Sequence, residues 1–142
     1  MTITATDNFQ AQSKQQGNDF EQLVAFHLKA NGWTIRDTCA KRHGCEIDII
    51  ADDPNGIEHW IECKGSHRGK IPGLLRADTV KKAVGVAWYL STFPDNPPYL
   101  LIGSHGPRPD TVSQRLIDMA LGEGLFADVM VMPTTFDTWG AE

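Results

Sequence analysis

Two strand-like segments separated by a turn constrain this chain more than any other feature. Residues 44–51 read Gly-Cys-Glu-Ile-Asp-Ile-Ile-Ala, and residues 60–65 read Trp-Ile-Glu-Cys-Lys-Gly. Both segments alternate polar with apolar residues and are rich in β-branched ones, which favours β-strands. The intervening residues 52–56, Asp-Asp-Pro-Asn-Gly, combine the fixed φ of proline with the left-handed freedom of glycine. The sequence therefore predicts a β-hairpin centred on Asn55.

The register of this hairpin brings charged side chains together. With Asn55 at the centre of the turn, Asp48 faces Glu62 and Glu46 faces Lys64. Directly opposed residues share one face of a sheet, whereas successive residues alternate between faces. The four charged side chains are therefore expected on one face. The other face is expected to enter the core with Ile47, Ile49, Ile61 and Cys63.

The opposed carboxylates indicate a divalent metal site. Two neighbouring carboxylates repel each other unless a cation or a proton lies between them. Oxygen ligands suit Mg²⁺, which binds through one or two carboxylates together with substrate phosphate. Lys64 would point the same way and could orient or deprotonate an attacking water. The alternative is a cross-strand ladder of ion pairs, with Glu46 and Lys64 as its best pair, but such a ladder leaves Asp48 opposite Glu62 unexplained.

At these residues the sequence resembles the PD-(D/E)xK nuclease superfamily. The pattern of that superfamily is an Asp, a turn and then Glu-x-Lys, present here as Asp48 and as Glu62-Cys63-Lys64. Residues 18–24, Asn-Asp-Phe-Glu-Gln-Leu-Val, are similar to the helix that precedes the hairpin in Holliday-junction-resolvase-like and Mrr-like members. The resemblance covers about residues 17–104. The proline common before the first Asp is replaced by Ile47, as it is in many members.

The resemblance implies a fold and a set of site residues. The fold is α/β, a restriction-endonuclease-like αβββαβ core with a mixed sheet flanked by helices, and the remaining sequence adds an αβ unit. The metal would be Mg²⁺, replaceable by Mn²⁺, with Asp48, Glu62 and the backbone carbonyl of Cys63 as ligands. Lys64 is expected to act on the attacking water. Glu21, on the first helix, is expected to reach the same site, or else to form a capping box with Asn18.

The implied activity is that of a Mg²⁺-dependent deoxyribonuclease. We expect an endonuclease that acts on branched or duplex DNA, as a homodimer, because one small domain has a single site for two strands. The alternative is a catalytically inactive or accessory DNA-binding subunit that retains the fold. RecB-like exonucleases carry a Gln-x3-Tyr motif, but with Tyr89 as its tyrosine, Gly85 stands in place of the glutamine. The iron–sulfur members have a cysteine cluster that is absent from this sequence.

The distribution of charge supplies candidate DNA contacts. The net charge of −5 is unfavourable for binding phosphates. The segment 64–82, however, contains six basic residues and one acidic residue. Its candidate DNA-binding residues are Arg68, Lys70, Lys81 and Lys82. The alternative for this segment is a solvated basic loop.

The length and composition of the chain indicate a single domain. The 142 residues are expected to form a polar, flexible arm over 1–16 and a single nuclease domain over 17–142. The sequence has no apolar run long enough to span a membrane and no signal-peptide pattern, so we expect a cytoplasmic protein without a small-molecule cofactor beyond the metal.

The irregular spacing of Cys39, Cys45 and Cys63, with His43 and His59 nearby, disfavours the alternative of a structural zinc site.

The remaining elements follow from periodicity and capping signals. We expect a strand over 33–38, a polar loop over 39–44 and a mobile basic loop over 65–75. Asp78 is expected to cap a helix over 79–90, and 99–103 to form a buried parallel strand. Pro109 and Asp110 are expected to start a third helix before a last strand over 128–132. The predicted inward face of that helix is Val112, Leu116, Met119 and Ala120.

Overall fold

The computed structural model describes residues 19–65 and 73–132. Over these residues the chain forms a helix, α1, over 19–30 and then a run of three strands. A short 3₁₀ turn at Gly73–Leu75 precedes the second helix. The elements after α1 are β1 (Thr34–Arg42), β2 (Cys45–Asp52), β3 (Glu58–Lys64), α2 (Ala77–Ser91), β4 (Tyr99–Gly103), α3 (Val112–Gly122) and β5 (Asp128–Val131).

The strands form one mixed sheet in the order β1-β2-β3-β4-β5. The β2 strand is antiparallel to both β1 and β3, whereas β4 is parallel to both β3 and β5. Residues from α1 pack on one face, and residues from α2 and α3 pack on the other. This arrangement is an αβββαβ core with an appended αβ unit, which confirms the predicted fold class.

The hairpin of β2 and β3 has the predicted register. Ile49 pairs with Ile61, and Ile50 pairs with Trp60. In the turn, the Oδ1 atom of Asp53 accepts hydrogen bonds from the backbone N–H groups of Asn55 and Ile57, at 2.8 and 3.0 Å. The aspartate thus holds the turn closed, in the manner of an Asx turn.

The expectation that Ile47 and Ile49 share one core layer is wrong. Ile49 packs in the layer of α1, together with Ile61 and Cys63, as predicted. Ile47 is fully buried in the opposite layer, against α2 and α3. The alternation of faces breaks between these residues, where Cys39 on the neighbouring strand has a left-handed φ of 53°.

The first strand is longer than predicted. Residues 39–42 belong to β1 rather than to a loop, because Arg42 pairs directly with Cys45. The connection is a two-residue turn in which His43 and Gly44 have φ values of 53° and 82°. Two consecutive positive φ values are typical of a tight hairpin turn.

The helices differ from the prediction mainly at their ends. The α2 helix begins at Ala77 after Arg76, which makes no side-chain capping bond, so Asp78 lies in the first turn and is not the cap. Asp110 has a φ of 61°, which excludes it from a helix, and the side chain of Thr111 caps α3 instead. The helix therefore starts later than predicted. Its buried residues are Ser113, Ile117 and Ala120, whereas the predicted Val112 and Met119 are exposed.

The end of α1 is as predicted. Gly32 has a φ of 87°, and the N–H of Trp33 donates to the carbonyl of Leu28 at 3.0 Å, a Schellman-type closure. The predicted cap Asn18 and the arm over 1–16 lie outside the described residues. Within the described ranges, no helix has the length and apolar character needed to cross a membrane.

Candidate active site

The candidate site forms where the pairing of β2 with β3 stops. The register between these strands extends no further than Ile49 and Ile61. At the next position, the Oδ2 atom of Asp48 accepts a hydrogen bond of 2.8 Å from the backbone N–H of Cys63. A side-chain carboxylate therefore takes the place of a main-chain partner. This contact holds Asp48 against the segment of β3 that carries Glu62.

Glu62 is buried and is held through both of its oxygens. Its Oε1 atom lies 2.9 Å from the Nζ atom of Lys64, and its Oε2 atom accepts a hydrogen bond of 3.2 Å from the hydroxyl of Tyr99. The pair expected between Glu46 and Lys64 is thus replaced by a pair between Lys64 and Glu62. Because the pairing of β2 with β3 ends at Ile49 and Ile61, the predicted position of Lys64 opposite Glu46 is lost. The Glu46 carboxylate instead accepts a hydrogen bond from the thiol of Cys39. This hydrogen bond is the main cause of the raised pKa of the Cys39 thiol.

The electrostatics of the site are dominated by Asp48. Burial, followed by the negative charge of Glu62, raises the pKa of Asp48 to about 8. The hydrogen bond from Cys63 lowers this pKa only in part. Burial alone would lower the pKa of Lys64, but the charge and the hydrogen bond of Glu62 outweigh burial and raise that pKa. Without a cation, the site therefore combines a protonated Asp48 with a charged Lys64.

Glu21 reaches this site from α1. Burial is the main cause of its raised pKa, followed by the charges of Glu46 and Glu62. A hydrogen bond with the Asp48 carboxyl acts in the opposite direction. Glu21 is thus close to Asp48, as one of its two predicted roles requires. Its other role, in a capping box, depends on a residue outside the described ranges.

The oxygen donors at the site suit a hard cation. The predicted ligands are the carboxylates of Asp48 and Glu62 and the backbone carbonyl of Cys63, a donor set that fits Mg²⁺ or Mn²⁺. The raised pKa of Asp48 shows that negative charge here is not fully compensated by Lys64. Across residues 19–65 and 73–132, no three His, Cys, Asp or Glu side chains are placed together as a metal centre. The predicted set needs only two such side chains, and it stays a prediction.

The predicted DNA contacts are only partly described. Lys81 and Lys82 are exposed on α2 and line a surface cavity of about 390 Å³ near the start of that helix. Arg76 lines the same cavity, although it was not among the predicted contacts. Arg68 and Lys70, with most of the predicted basic loop, lie outside the described residues.

Sequence reasoning missed Tyr99 as a neighbour of the site. Tyr99 begins β4, 37 residues after Glu62, and pairs there with Trp60. Its one signal in the sequence is a hydroxyl at the start of an otherwise aliphatic buried strand. The residue type alone does not indicate which group the hydroxyl contacts, because only the parallel pairing of β3 with β4 brings the hydroxyl to Glu62.

Comparison with known proteins finds solved structures with low structural and sequence similarity to this chain. No family model matches the sequence, and no curated protein matches it. A structure titled as the complex of EndoMS with double-stranded DNA is 11% identical, with a TM-score of 0.47, over 80% of this chain and 44% of that chain. SfsA from Pyrococcus furiosus, solved with Ca²⁺, is 16% identical, with a TM-score of 0.39, over 84% of this chain and 55% of that chain. The chain thus spans about half the length of each protein, and its function is inferred from its own residues.

Proposed function

We propose that this chain is a metal-dependent nuclease that hydrolyses DNA phosphodiester bonds. The observation that carries the proposal is the convergence of Asp48, Glu62 and Lys64 where β2 and β3 part. A buried carboxylate, a half-buried carboxylate and an ammonium are costly to hold together for stability alone, since charges removed from water lose solvation. Such strongly perturbed groups are concentrated at functional sites.

The carboxylates of Asp48 and Glu62, with the carbonyl of Cys63, would hold Mg²⁺ or Mn²⁺. When bound, the ion would lower the pKa of a water molecule and stabilise the negative charge that develops at phosphorus. Asp48 has a pKa of about 8, so at neutral pH it must release its proton to become a ligand. The Glu21 carboxyl shares a hydrogen bond with the Asp48 carboxyl, and it would accept or relay that proton.

Lys64 would act as a cation rather than as a base. Its raised pKa keeps the ammonium charged at neutral pH, so it is a hydrogen-bond donor. A charged donor can orient a water molecule and offset the growing charge of the phosphoryl oxygens. The side chain of Lys64 is 27% exposed, so the ammonium borders solvent from which DNA would approach.

The DNA would extend from this site along α2. Lys81 and Lys82 would contact phosphates, with Arg68 and Lys70 as further contacts, and the cleaved substrate would be branched or duplex DNA. Cleavage of both strands would require a homodimer. Recombination or repair of DNA in the cytoplasm would be the corresponding setting.

Nicking of a supercoiled plasmid tests this function. We expect cleavage by the wild-type chain with Mg²⁺ or Mn²⁺ and none with a chelator. Asp48→Asn and Glu62→Gln should each lower the rate by at least about 100-fold, the scale expected for lost electrostatic stabilisation. Glu58→Gln is the matched control, because Glu58 is exposed at the opposite end of the same strand.

The same assay separates the proposal from its alternative. Binding of DNA without metal-dependent nicking by the wild type would indicate an accessory DNA-binding subunit. Equal nicking by Glu62→Gln and Glu58→Gln would show that the cleavage chemistry lies elsewhere.

A further inference from the structure

The geometry points to Tyr99 as a positioning residue for the metal-binding carboxylate. We propose that the Tyr99 hydroxyl fixes the orientation of Glu62, and thereby sets the affinity of the site for a divalent cation. This inference rests on the proposed function, since it assigns a role toward the cation that Glu62 would bind.

The contacts of Glu62 show why its carboxylate needs a second partner to stay in one orientation. One oxygen, Oε1, is taken by the Nζ atom of Lys64 at 2.9 Å. A carboxylate held at one oxygen can still turn about its terminal torsion, which is broad in side chains of this type. The hydroxyl of Tyr99 donates to the other oxygen, Oε2, at 3.2 Å, and so restrains that rotation. Each carboxylate oxygen accepts more than one hydrogen bond, so both oxygens keep lone pairs for a further partner.

Tyr99 is itself held rigidly by three parts of the fold. Its backbone pairs with Trp60 in the parallel register of β3 with β4. Its carbonyl accepts a hydrogen bond of 2.8 Å from the N–H of Ala127. Its ring stacks on that of Phe126, with centroids 5.6 Å apart and an angle of 18° between the rings. The hydroxyl is therefore placed by the core, whereas Lys64 reaches Glu62 through a long side chain that borders solvent.

The chemistry of the hydroxyl suits a permanent donor. Tyr99 is 6% exposed, and burial, followed by the charge of Glu62, raises its pKa. The hydroxyl is the donor in this contact, because the carboxylate of Glu62 can only accept. Partners that orient a metal-binding side chain change metal affinity by about 10-fold to 100-fold when they are removed.

Affinity for Mn²⁺ in Tyr99→Phe tests the inference. This variant keeps the ring and its stacking on Phe126 and removes only the hydroxyl. Tyr89→Phe is the matched control, since the only other tyrosine of the chain donates to the backbone carbonyl of His43, at 2.9 Å, and not to a carboxylate. By calorimetry, Tyr99→Phe should bind Mn²⁺ at least about tenfold more weakly than the wild type, and Tyr89→Phe should bind as the wild type does.

A comparison of rates distinguishes positioning from general damage. Plasmid nicking by Tyr99→Phe should fall at limiting Mn²⁺ and recover to within about threefold at saturating Mn²⁺, because Lys64 and the ligands remain. A merely structural role would lower the melting temperature without changing the dependence on Mn²⁺. Should Tyr99→Phe fail to fold, 4-fluorophenylalanine at position 99 fills the space of the hydroxyl without a donor.

The outcomes separate this inference from the proposed function. If Glu62→Gln weakens Mn²⁺ binding and Tyr99→Phe binds as tightly as the wild type, the role of Tyr99 is overturned and the metal site stands. If Glu62→Gln binds Mn²⁺ as the wild type does, the proposed site itself is wrong, and the role of Tyr99 falls with it.

Discussion

At the scale of single residues, Asp48 links the fold to the proposed chemistry. Its Oδ2 atom replaces a main-chain hydrogen-bond partner for Cys63, so the residue is part of the sheet. Its pKa is raised from 3.8 to about 8 by burial and by Glu62. The folded chain therefore binds the Asp48 proton more tightly than the unfolded chain does. The stability that this proton provides is complete below about pH 4 and is lost as the pH rises through 8.

Replacing Asp48 by asparagine should remove this dependence on pH. The amide oxygen can still accept from Cys63, but no charge develops in the buried position. Without metal, Asp48→Asn should be more stable than the wild type at pH 8 by on the order of 2 kcal/mol, and equal to it near pH 4. Urea unfolding at several pH values measures the difference. Parallel curves for the two proteins between pH 4 and pH 8 would show that Asp48 titrates normally.

Lys64 should affect turnover more than metal binding. Lys64→Met keeps the length of the stem and removes the charge that we assign to the water and the phosphoryl oxygens. Single-turnover cleavage should fall by about 100-fold or more, while Mn²⁺ affinity stays equal or rises, because a competing cation has been removed from Glu62. Lys29→Met, at an exposed position of α1, is the control for loss of a lysine charge. If Lys64→Met cleaves DNA at the wild-type rate, Lys64 has no role in the chemistry and is only the ion-pair partner of Glu62.

At the scale of elements, the site depends on the close approach of β3 and β4 at their shared end. The carbonyl of Lys64 accepts a hydrogen bond of 3.1 Å from the N–H of Ser104. A Cβ atom on Gly65 would lie against the side chain of Ser104 and only 2.9 Å from its backbone nitrogen. Glycine is therefore required directly after Lys64 for the strands to approach this closely.

Adding one methyl group should show how tightly this end of the sheet constrains the site. Gly65→Ala should destabilise the fold by about 1–3 kcal/mol, the usual cost of overpacking, and should lower cleavage by displacing Lys64. Gly85→Ala is the matched control, because no atom lies within 4 Å of its added Cβ. Because Gly85 is at an exposed position inside α2, that change should stabilise the fold by about 0.5–1 kcal/mol. Thermal unfolding of both variants gives the comparison, and equal stability of Gly65→Ala and the wild type would contradict the packing.

At the scale of the whole molecule, the charges are separated. The chain carries a net charge of −5, yet residues 64–82 contain six basic residues and one acidic residue. Lys81 and Lys82 are exposed on α2, whereas the carboxylates of Asp48 and Glu62 lie at the site. With so little general attraction for phosphate, each true DNA contact should be visible in the dependence of binding on salt.

Removing the two lysines of α2 should weaken DNA binding and flatten its salt dependence. Lys81→Ala with Lys82→Ala should reduce the slope of log affinity against log salt by up to about 1.8, because each phosphate contact contributes about 0.9. The control changes two exposed basic residues on the other helices, Lys29→Ala and Arg115→Ala. Fluorescence anisotropy over a salt series measures both. An unchanged slope in the α2 variant would show that DNA contacts another surface of the protein.

The sequence by itself determined the hairpin, its register and the α/β class. These features depend on neighbours along the chain: alternation within 44–51 and 60–65, the turn at 52–56 and the glycine that ends α1. The pairing of Ile49 with Ile61 follows directly from the position of that turn. Local residue types determine short-range geometry of this kind, so the hairpin and its register could be predicted from the sequence.

Only the tertiary structure decided how the site is held. Ile47 lies in the opposite core layer from Ile49, and the pairing of β2 with β3 ends before Asp48; neither feature has a marker in the residue types. Lys64 pairs with Glu62 rather than with Glu46, since the pairing of β2 with β3 does not extend to Glu46. Tyr99 reached Glu62 because a helix returns the chain to a parallel strand. Contacts across 37 residues depend on how layers pack, and no local pattern specifies them.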